Sequence, residues 1–126
     1  MMIIPARTAL LPIILTGVIF LLAPLAQAAQ TAKTEESTVE RESSLEDCFT
    51  VEGGTELKWH WGSGEPLDFN IHYHLGGKTV YPVKAPGATS GRGALSFEQP
   101  QKICLMWKNG ELSNIPLIWT REALPK

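Results

Sequence analysis

From Cys48 onward the chain alternates between apolar and polar side chains, and a period of two is the mark of a half-buried β-strand. In 67–74, Leu67, Phe69, Ile71 and Tyr73 take one phase while Asp68, Asn70, His72 and His74 take the other. Leu57, Trp59 and Trp61 alternate with Lys58 and His60. Ile103, Leu105 and Trp107 alternate with Cys104, Met106 and Lys108, and Ile115, Leu117 and Trp119 repeat the rhythm near the end. Phe49 with Val51, the stretch 78–83, and Leu95 with Phe97 supply further short segments. Chain breakers separate them: Gly53-Gly54, the run Gly62-Ser63-Gly64-Glu65-Pro66, Gly76-Gly77, a Gly/Pro/Ala/Ser-rich loop over 84–93, and Asn109-Gly110. No stretch shows a helical period. The pattern predicts an all-β fold, a small antiparallel β-sandwich of about seven strands over residues 48–126. All four Trp fall in phase with Leu or Ile, which places them in the core rather than on a carbohydrate-binding platform.

The front of the chain follows other rules. Residues 1–28 carry Arg7, then a nearly continuous apolar run from Ala9 to Leu22, then Ala26-Gln27-Ala28 with small residues at the cleavage positions. This is the layout of a secretory signal peptide. The rival reading, a retained membrane anchor, is disfavoured because the apolar run falls short of the roughly 20 residues a span needs and Pro24 breaks its end. No later stretch is apolar enough to span a bilayer once the signal is cleaved. Residues 29–47 hold Lys33 and Arg41 against Glu35, Glu36, Glu40, Glu42, Glu46 and Asp47, with many Ser and Thr and few aliphatics. They read as an acidic, disordered leader. The formal charge of −2 is therefore an average over unlike parts. The domain itself is near neutral, which excludes a nucleic-acid binder on bulk electrostatics.

Export bears on the two cysteines, Cys48 and Cys104. An even count behind an export signal favours a disulfide. Both lie out of phase with their apolar neighbours, which suits a bridge on the outer side of the sandwich. The rival role for Cys104 is that of a metal thiolate.

The cysteine contexts resemble a known family. Asp47-Cys48-Phe49 and Cys104-Leu105-Met106-Trp107-Lys108-Asn109 are similar to the opening and late cysteine strands of the GOLD (Golgi dynamics) domain. Lys58-Trp59-His60-Trp61, the strand 67–74 and the run 95–109 resemble the strands between them. The similarity covers residues 45–121. It implies a disulfide-linked β-sandwich used for binding and not catalysis. The coiled coil, membrane span and sorting tail of secretory cargo receptors do not follow Trp119, so the resemblance is to stand-alone exported members of bacterial type.

Within such a module the outward strand face, Asp68, Asn70, His72 and His74, and the 84–93 loop are the candidate binding surfaces. The expected partner is a protein or an envelope component, with no cofactor, in the periplasm or outside the cell. An alternative follows from the clustering of the three histidines. His72 and His74 share one strand face, and His60 points outward from its own strand. If the two segments pair antiparallel, His60, His72 and His74, with Met106 nearby, form a Cu or Zn site. Enzyme motifs are missing: Gly62-Ser63-Gly64 is not a nucleophile elbow, and no phosphate-binding glycine loop occurs. Asp68 and His72 sit four residues apart on one strand, too far for a catalytic pairing with Ser63. The chain is expected to be non-catalytic.

Overall fold

The computed structural model describes residues 2–3, 12–13, 17–22 and 32–126. Most of the signal-peptide segment lies outside the described residues. Those described within it, such as Phe20 at 86% exposure, are not part of the hydrophobic core. No helix among the described residues is long and apolar enough to cross a membrane.

Six strands make up the domain: β1 (Lys33–Val39), β2 (Ser43–Val51), β3 (Thr55–Leu75), β4 (Lys78–Ser96), β5 (Gln101–Asn109) and β6 (Ile115–Pro125). All pairings are antiparallel. The organising element is the long β3–β4 hairpin, turned at Gly76-Gly77, both with positive φ. Residues 55–63 of β3 carry β6 on their free edge, and β1 pairs onto β6. Residues 68–72 of β3 carry β5 on the same edge, and β2 pairs onto β5. The six strands, one fewer than the seven expected, form one continuous antiparallel sheet that folds over at the hairpin into two four-stranded layers, giving the sandwich-like all-β architecture that the alternation predicts.

The fold-over corrects two expectations. Residues 62–66 do not end a strand; β3 runs through them. The register jumps from Gly62↔Ser90 to Leu67↔Ala88, so four β3 residues lie against Thr89 alone, and the ribbon bends there. Ser63 Oγ donates to Glu65 O at 2.6 Å and pins the bend. The 84–93 segment is likewise not a loop but the middle of β4. Its small residues have a packing reason. A Cβ at Gly91 would stand 2.7 Å from Trp61 Nε1, and one at Gly93 would stand 2.6 Å from Trp59 Cζ2. The indoles lie against β4 backbone at these two positions, so nothing larger than glycine fits.

A third correction concerns the acidic leader. Residues 33–39 form β1 and 43–47 open β2. Neither has the apolar content of an independent strand. β1 buries only Val39, and it forms because β6 offers it a ladder from Lys33↔Arg121 to Val39↔Ile115. Its charged, exposed face is what a sheet edge requires to discourage pairing with other chains. The β1–β2 connection is tied down by Arg41 N donating to Asn114 Oδ1 at 3.0 Å and Glu42 N donating to Glu111 O at 3.2 Å.

The core sits between the sheets. Trp59, Trp61 and Trp119 enter it from one side and Phe69 and Trp107 from the other, with neighbouring ring centroids 5.1–5.4 Å apart for the Trp59–Phe69, Trp61–Phe69, Phe69–Trp107 and Trp107–Trp119 pairs. Tilted contacts of this kind add to the stabilisation from burial. Fully buried Asn109 closes one end: Nδ2 donates to Val39 O at 3.0 Å and Ser113 O at 2.8 Å, and Oδ1 accepts from Glu111 N at 2.8 Å. Asp47, on the inner phase of β2, spans the sheets. It accepts from Trp119 Nε1 at 2.8 Å and Arg121 Nε at 2.7 Å, while the Arg121 guanidinium lies 3.8 Å over Phe49.

Candidate functional site

Asp68, Asn70, His72 and His74 occupy the outer face of the sheet formed by β2, β5 and the second halves of β3 and β4, as their phase requires. Cross-strand register fills in their neighbours: Asp68 lies opposite Lys108, Asn70 opposite Met106, and His72 opposite Cys104. One strand further out, Glu46 faces Met106 and Cys48 faces Cys104. Cys48 and Cys104 form the disulfide, with Cα atoms 4.0 Å apart, on the outer face. The thiolate role for Cys104 is thus closed in this form.

Two bulges in β4 shape the face. Ile71 pairs with Val83 and Tyr73 with Val80, so His72 confronts both Tyr81 and Pro82. Proline is tolerated there because a bulge position needs no ladder N–H. The extra residue turns Tyr81 outward, 45% exposed, with its ring 5.8 Å from that of His72 and Lys84 Nζ 4.4 Å from its centroid. Leu67 pairs with Ala88 and Phe69 with Ala85, so Asp68 confronts Pro86 and Gly87. Gly87 has φ 63°, and its N–H donates to Asp68 Oδ1 at 2.8 Å. Asp68 therefore works first as the clamp of a bulge.

The histidines divide into two groups. His72 is buried, at 8% exposure, and its Nδ1 lies 2.8 Å from Asn70 Oδ1. An amide oxygen only accepts, so Nδ1 is the donor in this contact. Glu46 Oε1 stands 4.0 Å from His72 Nε2. His74 is exposed, its ring centroid 5.7 Å from that of His72, and its Nδ1 meets Thr79 Oγ1 at 3.2 Å. His60 does not join them. The segments 57–61 and 67–74 do not pair with each other, because both belong to β3. His60 lies twelve residues before His72, on the other sheet, between Arg92 and Thr120, and its Nδ1 is hydrogen-bonded to Thr120 Oγ1. The three-imidazole convergence with Met106 is thus corrected by the continuity of one strand. Among the described residues, the group of three metal-ligating side chains that does come together is Glu46, Cys48 and Cys104.

Ser63, His72 and Asp68 are likewise separate: each is hydrogen-bonded elsewhere, to Glu65 O, Asn70 Oδ1 and Gly87 N. A cleft of about 590 Å³ opens where β2 and β6 part, lined by Phe49, Leu57, Arg121 and Glu122 among others. Its one guanidinium is already paired with Asp47.

Sequence reasoning missed Glu46, assigned to a disordered leader, and Tyr81, whose direction depends on a bulge. Pro82 and Pro86-Gly87, inside otherwise strand-like sequence, are the signal from which the bulges were readable.

No family model matches the chain, and no curated protein matches it. Solved structures do. The chain is similar to PliG of Aeromonas hydrophila, a periplasmic inhibitor of g-type lysozyme, at TM-score 0.56 and 14% identity, over 80% of this chain and 92% of that one. It is also similar to the Yersinia pseudotuberculosis-derived mitogen, at TM-score 0.52 and 12% identity, over 77% of this chain and 87% of that one. At such identities the likeness is one of fold.

Proposed function

We propose that the chain is an exported, non-catalytic β-sandwich that binds a protein partner in the bacterial envelope or outside the cell through the outer face of β3–β4. The observation that carries this reading is Tyr81. It is a half-exposed aromatic, braced against His72 and Lys84, on a strand face where Asn70 bonds His72 and Asp68 accepts from the Gly87 N–H. Rigid aromatic anchors surrounded by polar side chains are the usual energetic centre of a protein interface. The GOLD-like cysteine contexts support binding over catalysis. The fold shared with PliG supports a protein partner, and an enzyme acting on the cell wall is the first class to test.

The purified chain, immobilised, would be challenged with an envelope extract and separately with g-type lysozyme, with lysis of a cell-wall suspension as readout. Tyr81→Ala and the His72→Ala/His74→Ala variant, checked for unchanged melting, are expected to lose capture. Capture that is undiminished in both variants would move the interface off this face.

A further inference from the structure

Among the described residues, every open edge of the folded-over sheet but one carries a guard against pairing with another chain. β1 is lined with charge at Lys33, Glu35 and Glu36, and β2 turns the charged Asp47 inward. The first half of β4 is interrupted by two bulges that contain Pro82 and Pro86. The second half of β4 has none of these devices. β4 pairs only with β3. Its other side is therefore open over 90–96, where the register runs without a shift from Glu56↔Ser96 to Gly62↔Ser90. This stretch, Ser90-Gly91-Arg92-Gly93-Ala94-Leu95-Ser96, has no proline, no bulge and a single charge. Its side chains point to one kind of occupant. Arg92 is exposed on the outer phase beside His60 and takes part in none of the ion pairs among the described residues. Lys58 is matched by Glu56 at 3.9 Å, so the uncompensated charge at this edge is that of Arg92. On the inner phase Gly91 and Gly93 have no side chain to cover Trp61 and Trp59. A cleft of about 570 Å³ lies on the same segment, lined by Lys58, Trp59, His60, Arg92, Gly93 and Ala94.

We propose that residues 90–96 of β4 are a docking edge for an extended, acidic segment of a partner protein, which joins the sheet as a further strand beside β4. Backbone hydrogen bonds to β4 supply the affinity, and alternate side chains supply the specificity. On the outer phase an Asp or Glu of the segment lies next to Arg92. On the inner phase an apolar side chain reaches the Trp59 ring past Gly93, which has no side chain to stand between them. Charge selects this occupant over a second copy of the chain. Two copies paired antiparallel about Gly93 would set their Arg92 side chains at diagonal positions on one face, where like charges repel. The edge belongs to the layer of β1 and β6, whereas Tyr81 lies on the layer of β2 and β5. The contact therefore does not depend on the face assigned above.

The test uses a short capped peptide alternating glutamate and valine, with a lysine–valine peptide as its control. Amide hydrogen exchange of the folded chain, followed residue by residue by NMR, reports where the peptide pairs. Alternate amides within 90–96, those on the open side of β4, are expected to exchange at least roughly tenfold more slowly when the acidic peptide is bound. Arg92→Glu is expected to weaken that peptide roughly 2- to 30-fold, since one opposed pair is lost and one like-charged pair is gained. The lysine–valine peptide is expected to bind the parent more weakly than the acidic one, and Tyr81→Ala is expected to bind the acidic peptide like the parent. Unchanged exchange over 90–96 at millimolar peptide would overturn the proposal, as would equal binding by Arg92→Glu or loss of binding in Tyr81→Ala. Protection of the same amides without peptide, growing with chain concentration, would assign the edge to a second copy and overturn it too.

Discussion

Asn109 offers the sharpest test of what the structure adds to the sequence. As part of an Asn-Gly turn, its role would be conformational, and Asp-Gly, an equally good turn former, would serve. In the folded chain Asn109 is instead fully buried, and Gly110 does not adopt a positive φ. Its amide satisfies two carbonyls and one N–H on β1 and the β5–β6 connection. Asn109→Ala leaves the Val39 carbonyl unpaired in the interior, at about 1–3 kcal/mol, and removes two part-buried bonds worth about 0.5–1.5 kcal/mol each. The sum is roughly 2–6 kcal/mol, a drop in melting temperature of roughly 8–48 °C for a domain of this size. Asn109→Asp keeps the acceptor but sets a buried carboxylate against two carbonyl oxygens, so it is expected to cost at least as much as alanine. Urea denaturation followed by tryptophan emission, with an unchanged slope, measures both variants. An Asn109→Asp chain within about 0.5 kcal/mol of the parent, the range of a neutral surface change, would refute the network account and restore the simple turn.

Other substitutions probe other layers. Gly91→Ala and Gly93→Ala drive a methyl into the Trp61 and Trp59 rings and should each cost about 1–3 kcal/mol, whereas Gly64→Ala, with its nearest neighbour Pro116 Cδ at 3.8 Å, should be near neutral in the same assay. Asp47→Asn should destabilise by about 2 kcal/mol through the weakened charge-assisted bonds to Arg121. Arg121→Lys should be comparably costly, because lysine reproduces neither the forked contact with Asp47 nor the stacking on Phe49; melting at the parent temperature in either variant would discount that link between sheets. Reducing the Cys48–Cys104 bridge, across a sequence separation of 56 residues, should lower stability by about 4 kcal/mol on the chain-entropy model. A change below about 1 kcal/mol in urea would show that β2 is held by its ladder and by Asp47 alone.

The amino-acid sequence by itself determined which side chains face inward. Side-chain direction in a strand depends on parity, so the alternation in 57–61, 67–74 and 103–108 placed Trp59, Trp61, Phe69 and Trp107 in the core. It also placed His72, His74 and both cysteines on the outer face, where tertiary contacts then bury His72. Parity carries no information about where a strand ends or which strand lies beside it. The run at 62–66 breaks the apolar pattern yet only bends β3, because the bulged strand keeps β4 beside it while its other neighbour changes from β6 to β5. That continuity alone separated His60 from His72. β1 and the start of β2 have polar, acidic sequences with no strand signal of their own, and they are strands because β6 and β5 present them with unpaired backbone. The same pairing brought Glu46 to His72 and Asp47 to Arg121. Tertiary structure thus decided the outer face and its partners, since these depend on register between segments far apart in the chain, and local sequence encodes only the phase within each.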